Sequence, residues 1–284
     1  MQKIIENLTV EEIEWWKKAI KRSRKADVKP PLYYVEKSVE ENLISLKDFS
    51  SNPNKTIRGV RSTAWEHYIN DEITFHRNII KLLLSESDKA KDILKSSITE
   101  TGIRDLKDQE IAKLIGDYSG RIMPFIYQLS LSTTNSRRSR AGKTLEWIIK
   151  KIMDAKEIPY QDQKALGKSF YRRNGLGKIV DLIIPSGEVF ENNRRFAMIV
   201  TMKTSLRERW AEVVEEIQRT NIPNIHLVTL ESQISVNLLQ LLDNYNITLV
   251  VYDEVKKKDL RSNNNVIGFT DFFSTEIEHH LSRK

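Results

Sequence analysis

The stretch Arg194–Gln218, RRFAMIVTMKTSLRERWAEVVEEIQ, restricts what this chain can fold into more than any other. Its apolar run, Phe196 to Val200, is β-branched at Ile199 and Val200 and has the texture of a strand buried on both faces. Lys203 stands where that strand would reach solvent. Thr204-Ser205 follows, a pair suited to starting a helix, and then Arg207-Glu208-Arg209. From Trp210 the pattern turns helical, with Val213, Val214 and Ile217 on one face and Arg209, Glu212 and Glu216 on another. A single strand-turn-helix unit therefore delivers a lysine, an arginine pair bracketing a carboxylate, and a further carboxylate to nearby points. Such a set suits metal-assisted chemistry on a phosphate, with base reading beside it.

At 284 residues the chain is long enough to bury a full core, as one large domain or two smaller ones. Its 39% hydrophobic and 30% charged residues suit a globular protein whose helices carry charged outer faces. The absence of cysteine excludes disulfides, thiolate metal ligands and cysteine nucleophiles, and fits a reducing compartment. The N-terminus MQKIIENLTVEEIEWW lacks a basic region leading into an apolar one, and no apolar run approaches a bilayer's thickness, so a cytoplasmic protein is expected. The net charge of +7 points mildly to a polyanionic partner.

In chain order, Thr9 and Glu12 stand at capping-box positions ahead of an amphipathic run through Ile13, Trp16 and Ile20, which predicts a helix over 8–25. It ends in Lys21–Lys25, KRSRK, suited either to backbone phosphate or simply to a solvated helix C-terminus. Pro30-Pro31 stops any helix, a short one is expected over Val35–Leu46, and Ser50–Thr56 reads as a loop by composition. Helical patterns follow over Thr63–Leu84 and Lys107–Tyr118, and Thr144–Met153 is strongly periodic. Beyond it strands dominate. Lys178–Ile184 and Phe196–Met202 read as two paired strands joined by an irregular loop, while Ile225–Thr229 and Ile247–Val251 are two more, with a helical ISVNLLQLLDNY between them. The expected fold is α/β: residues 1–130 form a mostly helical DNA-clamping portion, and 131–284 a core with a central mixed β-sheet flanked by helices.

Asp181 interrupts the apolar run KIVDLII, an expensive place for a carboxylate without a partner. A hard divalent cation would supply one, and a bound metal can acidify a water and stabilise charge on a phosphate under attack. Lys203 could orient that water; Asp181 and Lys203 could equally form a structural ion pair. Together KIVDLIIP, KTSLRERWAEVVEE and the upstream SRRSRAGKTLE resemble the type II restriction endonucleases of the SsoII, PspGI and EcoRII catalytic-domain group. These CC/GG-reading enzymes belong to the PD-(D/E)XK nuclease superfamily. The resemblance is specific over Ser136–Glu216 and looser to Val251. In that group a lysine, three residues, Arg-Glu-Arg, six residues and a glutamate recur, and Lys203, Arg207-Glu208-Arg209 and Glu216 occupy every position. The common superfamily signature places an acid two residues before the lysine, where this chain has Thr201; in the group Glu216 takes over that role. By the same resemblance Asp181 matches the strand aspartate and Glu146 a helix glutamate near the metal site. The resemblance implies a restriction-endonuclease-like core and Mg2+-dependent hydrolysis, with metal held by Asp181, Glu216 and Glu146.

The chemistry of Arg207, Glu208 and Arg209 agrees with that resemblance. Arginine bonds bidentately to guanine and glutamate accepts from cytosine N4, so one such unit can read a CC/GG step and two copies in a homodimer both half-sites. Taken alone, the triplet could be an exposed salt bridge. Several members of the group extrude a central base pair, and Arg61 and Trp65, four apart, are candidates to stack flipped bases, although Trp65 could equally be a core aromatic. Arg137, Arg138 and Arg140 are candidate contacts to DNA backbone or bases. Ala141-Gly142-Lys143-Thr144 lacks the upstream glycine of a phosphate-binding loop, Gly175-Leu176-Gly177 precedes a strand and is a turn, and His279-His280 receives no role.

The expected protein is thus a homodimeric endonuclease on double-stranded DNA. It would cut before the first cytosine of a CC/GG palindrome, contiguous or with a central base pair, leaving a 5′ phosphate, with a companion methyltransferase in the same system. A structure-specific repair nuclease and a non-catalytic DNA-binding protein are the alternatives.

Overall fold

The computed structural model describes residues 8–41, 49, 51–98, 107–176, 180–206, 214–215, 222 and 225–282. They divide into two compact units. One comprises the described residues up to Tyr34 together with Trp65–Arg140; the other comprises Val35–Ala64 and the described residues from Ala141 onward. The described residues between Val35 and Ala64 therefore belong to the same unit as the sheet.

The first unit is helical. Helix α1 (Val10–Asp27) starts as its sequence predicts: Thr9 Oγ1 accepts from the Glu12 amide at 3.2 Å, and Glu12 Oε2 accepts from the Thr9 amide at 2.7 Å. Helix α2 (Pro31–Glu41) begins on a proline, whose missing N–H is no loss in a first turn. Helix α3 (Pro53–Glu86) is one continuous helix of 34 residues, contrary to the loop expected over Ser50–Thr56. Asparagine and proline, loop residues by composition, here serve as helix starters. Asn52 Oδ1 accepts from the Lys55 amide at 3.0 Å, and Pro53 occupies the first helical position. Helices α4 (Asp88–Ile98), α5 (Asp108–Arg121) and α6 (Met123–Ala155) follow. Trp16 anchors this unit's interior: it is fully buried, packs edge-on against Phe125, and its indole N–H donates to the Phe125 carbonyl at 2.9 Å.

The second unit is built on a six-stranded mixed sheet in chain order. Strand β1 (Gln161–Asp162) leads into helix α7 (Gln163–Arg173) and pairs antiparallel with β2 (Leu182–Ile184), which pairs antiparallel with β3 (Met198–Lys203). Strands β4 (Ile225–Thr229), β5 (Ile247–Val251) and β6 (Val266–Gly268) extend it in parallel from β3. Helix α9 (Val236–Asn244) connects β4 to β5, and α10 (Asp253–Asp259) connects β5 to β6. Every residue of β2 and β4 is buried, and Lys203 is the only residue of β3 that is not, as the apolar runs require.

Two expectations need correction. Phe196 is not in the strand: Arg194–Phe196 form a 3-10 turn capped by Asn193, Phe196 is exposed, and β3 begins at Met198. The connection from β2 to β3 is also not irregular, because it contains helix α8 (Gly187–Asn192), capped by Ser186. Of the expected strand Lys178–Ile184, residues 178 and 179 lie outside the described residues, and Asp181 immediately precedes β2.

Gly187 packs so closely that a Cβ there would collide with the Leu166 side chain and the Phe170 ring, whereas a Cβ on Gly142, inside α6, would meet nothing within 4 Å. In urea denaturation, Gly187→Ala is expected to destabilise the protein by about 1–3 kcal/mol. Gly142→Ala is expected to stabilise it by about 0.5–1 kcal/mol.

Candidate active site

The site begins with strand register. Leu182 pairs with Val200, which sets Asp181 opposite Thr201. Asp181 is held at both ends: its amide donates to the Val200 carbonyl at 3.0 Å, and its Oδ2 accepts from the Met202 amide at 2.7 Å. Because side chains alternate along a strand, Thr201 and Lys203 share a face of β3. Thr201, at the position where the common superfamily signature has an acid, is fully buried, and its hydroxyl has no hydrogen-bond partner among the described residues.

Glu146 reaches the same neighbourhood from α6. Lys143, one turn earlier, donates to both of its carboxylate oxygens at 2.8 and 2.7 Å. The Asp181 carboxyl is pushed up to about 7, chiefly by burial and then by the negative charge of Glu146; the Met202 amide, Lys203 and Lys143 pull it the other way. Two carboxylates and two lysines therefore converge, and the lysines do not compensate Asp181 fully. A divalent cation held by Asp181 and Glu146 would offset both the repulsion and the burial penalty, and carboxylate oxygens are the donors that hard cations take. Among the described residues no group of three metal-ligating side chains assembles. Glu216, the third carboxylate expected, lies outside the described residues, as do Arg207, Glu208 and Arg209.

The chain that leads toward them is pinned. Glu231 Oε2 accepts from the Ser205 hydroxyl at 3.0 Å and from the Leu206 amide at 3.2 Å, and Leu206 is buried in the core. Sequence reasoning missed Glu231, since nothing in the chain links residues 25 apart. It also missed Lys143 as the partner of Glu146, although their helical spacing of three was readable.

The remaining candidates divide between the units. In the sheet unit Arg61 is exposed, and with Arg58 it counters the upward shift that burial imposes on the Tyr252 hydroxyl. In the helical unit Trp65 is 41% exposed, so it is not a core aromatic. The guanidinium over its ring, 5.8 Å from the centroid, belongs to Arg137. Arg137 is itself bonded bidentately to Glu72, and Arg140 donates to the Lys29 carbonyl at 2.6 Å, so both have partners within the protein. Arg138 is exposed.

A mixed sheet with a lysine at the end of one strand, an aspartate just ahead of the adjacent strand and a helix glutamate nearby has the form of a restriction-endonuclease-like protein. The comparisons carry this to a family. Residues 103–273 match the model of the EcoRII C-terminal family. The chain is 33% identical over 272 residues to the type II restriction enzyme SsoII of Shigella sonnei, covering 95% of this chain and 83% of that one. It superimposes on metal-depleted Ecl18kI in complex with uncleaved, modified DNA with a TM-score of 0.78 and 30% identity, covering 98% of this chain and 86% of the other. The PspGI–substrate DNA complex, at 19% identity and a TM-score of 0.64, shares the fold. The chain belongs to the EcoRII C-terminal family of type II restriction endonucleases, and is a deoxyribonuclease. Among the described residues no helix is long and apolar enough to cross a membrane.

The raised Asp181 carboxyl makes a prediction about the metal-free protein. A folded-state value of about 7 against an ordinary 3.8 means that stability is complete below about pH 4 and is lost as pH rises toward 7. Asp181→Asn keeps an acceptor for the Met202 amide and removes the charge. In EDTA it should melt several degrees above wild type at pH 8, with the difference shrinking toward pH 5 and on adding magnesium to wild type. A constant difference across pH would contradict the electrostatic account.

Proposed function

We propose that this enzyme cuts double-stranded DNA at a short palindrome containing CC and GG, contiguous or separated by one base pair, before the first cytosine of each strand, leaving 5′ overhangs. It acts with magnesium as a homodimer, alongside a methyltransferase that protects the same site. The observation that carries the reading is the convergence of Asp181, Glu146 and Lys203 in a chain of this family, whose relatives include one described as metal-depleted on uncleaved DNA and another on substrate DNA.

Each residue then has a task. Asp181, held by the Met202 amide, and Glu146, held by Lys143, would supply carboxylate oxygens to magnesium, with Glu216 as the third. The bound ion would acidify a water and stabilise charge on the scissile phosphate. Lys203, at the solvent end of β3, orients that water for in-line attack and favours the proton's departure, and the leaving 3′ oxygen takes up a proton. Arg207, Glu208 and Arg209 read the CC/GG step: arginine donates to guanine O6 and N7, glutamate accepts from cytosine N4. The two-fold symmetry of a dimer matches that of a palindrome. Arg138 and Arg140 contact DNA backbone or bases. Trp65 receives a base extruded from between the half-sites, which offsets part of the unstacking cost.

Digestion of a sequenced plasmid with and without magnesium, followed by sequencing of the ends, tests this directly. Discrete fragments whose 5′ ends all begin with CC are expected; a smear, or cutting confined to branched DNA, would overturn the site-specific reading. Lys203→Met should lower cleavage by roughly 10²–10³-fold while leaving site-specific binding in calcium within about two-fold. Loss of binding in step with cleavage would count against a role confined to the chemical step.

A further inference from the structure

Trp65 is exposed, yet two side chains lie close to its indole. The Tyr68 ring lies 5.1 Å from it, inclined by 45°, and the Arg137 guanidinium lies 5.8 Å from its centroid. Both neighbours are tied to one carboxylate. Glu72 Oε1 accepts from the Tyr68 hydroxyl, and the same carboxylate takes the Arg137 Nε–H at 2.9 and 3.1 Å and an Nη2–H besides. Glu72 is only 4% exposed. Burial favours its neutral form, but the Arg137 and Tyr68 bonds outweigh that and hold its carboxyl below the ordinary range.

A buried carboxylate has several acceptor positions to satisfy, and the Arg137 bonds that tie α3 to α6 use only some of them. Here the acid has two partners, and both touch the same exposed indole. We infer that Glu72 is a positioning residue: through Arg137 and Tyr68 it fixes the Trp65 indole in one orientation, as a preformed platform on which a nucleobase extruded from the DNA substrate stacks. This rests on the base-stacking reading of Trp65 above. Fixing matters because an extruded base has lost its stacking in the duplex, and a mobile indole would give back part of the compensating contact as side-chain ordering on binding.

The inference separates from a merely structural role through a duplex that has no base to extrude. Binding in calcium would be measured for wild type, Glu72→Gln, Arg137→Met and Trp65→Ala on two short duplexes carrying the cleavage site, one intact and one with abasic residues at the central position. On the intact duplex each variant should weaken binding by roughly ten-fold. On the abasic duplex each should lie within about two-fold of wild type. Tyr68→Phe and Arg137→Lys keep the ring and the charge, remove one contact each, and should fall between. If Glu72→Gln and Arg137→Met weaken both duplexes equally while Trp65→Ala discriminates between them, Glu72 is only structural and the inference fails. If Trp65→Ala does not discriminate, or the site has no central pair, the stacking reading fails and the inference with it.

Discussion

Two hydrogen bonds between the start of β2 and β3 set the geometry on which the candidate site depends: the Asp181 amide to the Val200 carbonyl, and the Met202 amide to Asp181 Oδ2. The first continues the sheet's ladder one residue beyond β2; the second spends a backbone donor on a side chain. Together they hold an aspartate at a strand edge, opposite Thr201 and one alternation from Lys203. A slip of one residue in this register would turn Asp181 to the other side of the sheet and separate it from Lys203. The parallel strands β4 to β6 and the helices packed on them keep β3 buried over nearly all its length, so that only its lysine end meets solvent.

Two acids in this protein show opposite solutions to the same problem. Glu72, in the helical unit, is buried and fully partnered, and its carboxyl is held below the ordinary range. Asp181, in the sheet unit, has one backbone donor and a like charge nearby, and its carboxyl is pushed up to about 7. The first arrangement stabilises the protein as it stands. The second leaves Asp181 with a local excess of negative charge, which a divalent cation would relieve.

Local patterns in the chain told a good deal of this. The strands Ile225–Thr229 and Ile247–Val251 and the helix between them follow from apolar runs and helical spacing, and the capping box at Thr9 and Glu12 forms as read. The loop reading of Ser50–Thr56 failed because asparagine and proline are helix starters as readily as loop residues, and composition does not say which. Helix α8 was hidden because six residues are too few to show a period. Asp181 was legible as an acid out of place among apolar neighbours, whereas Glu146 stood out only through resemblance to a family. The partner of Arg137 was not legible at all, since Glu72 lies 65 residues away and any exposed carboxylate would have served the pattern equally well.

The sequence alone therefore determined the mixed sheet and the helical portion, which are written in local periodicity, and marked Asp181 as an acid out of place; the family, and with it Glu146, came from resemblance of short motifs. Only the tertiary structure decided how each charge is met. Arg137, by sequence a candidate for DNA, is engaged by Glu72; Trp65 stands at the surface against Arg137 and Tyr68; Glu231 pins the chain before Arg207; and Asp181 is left short of positive charge. The physical reason is that a charge is satisfied by whatever lies within a few ångströms of it, and that distance is set by packing between segments far apart in the chain.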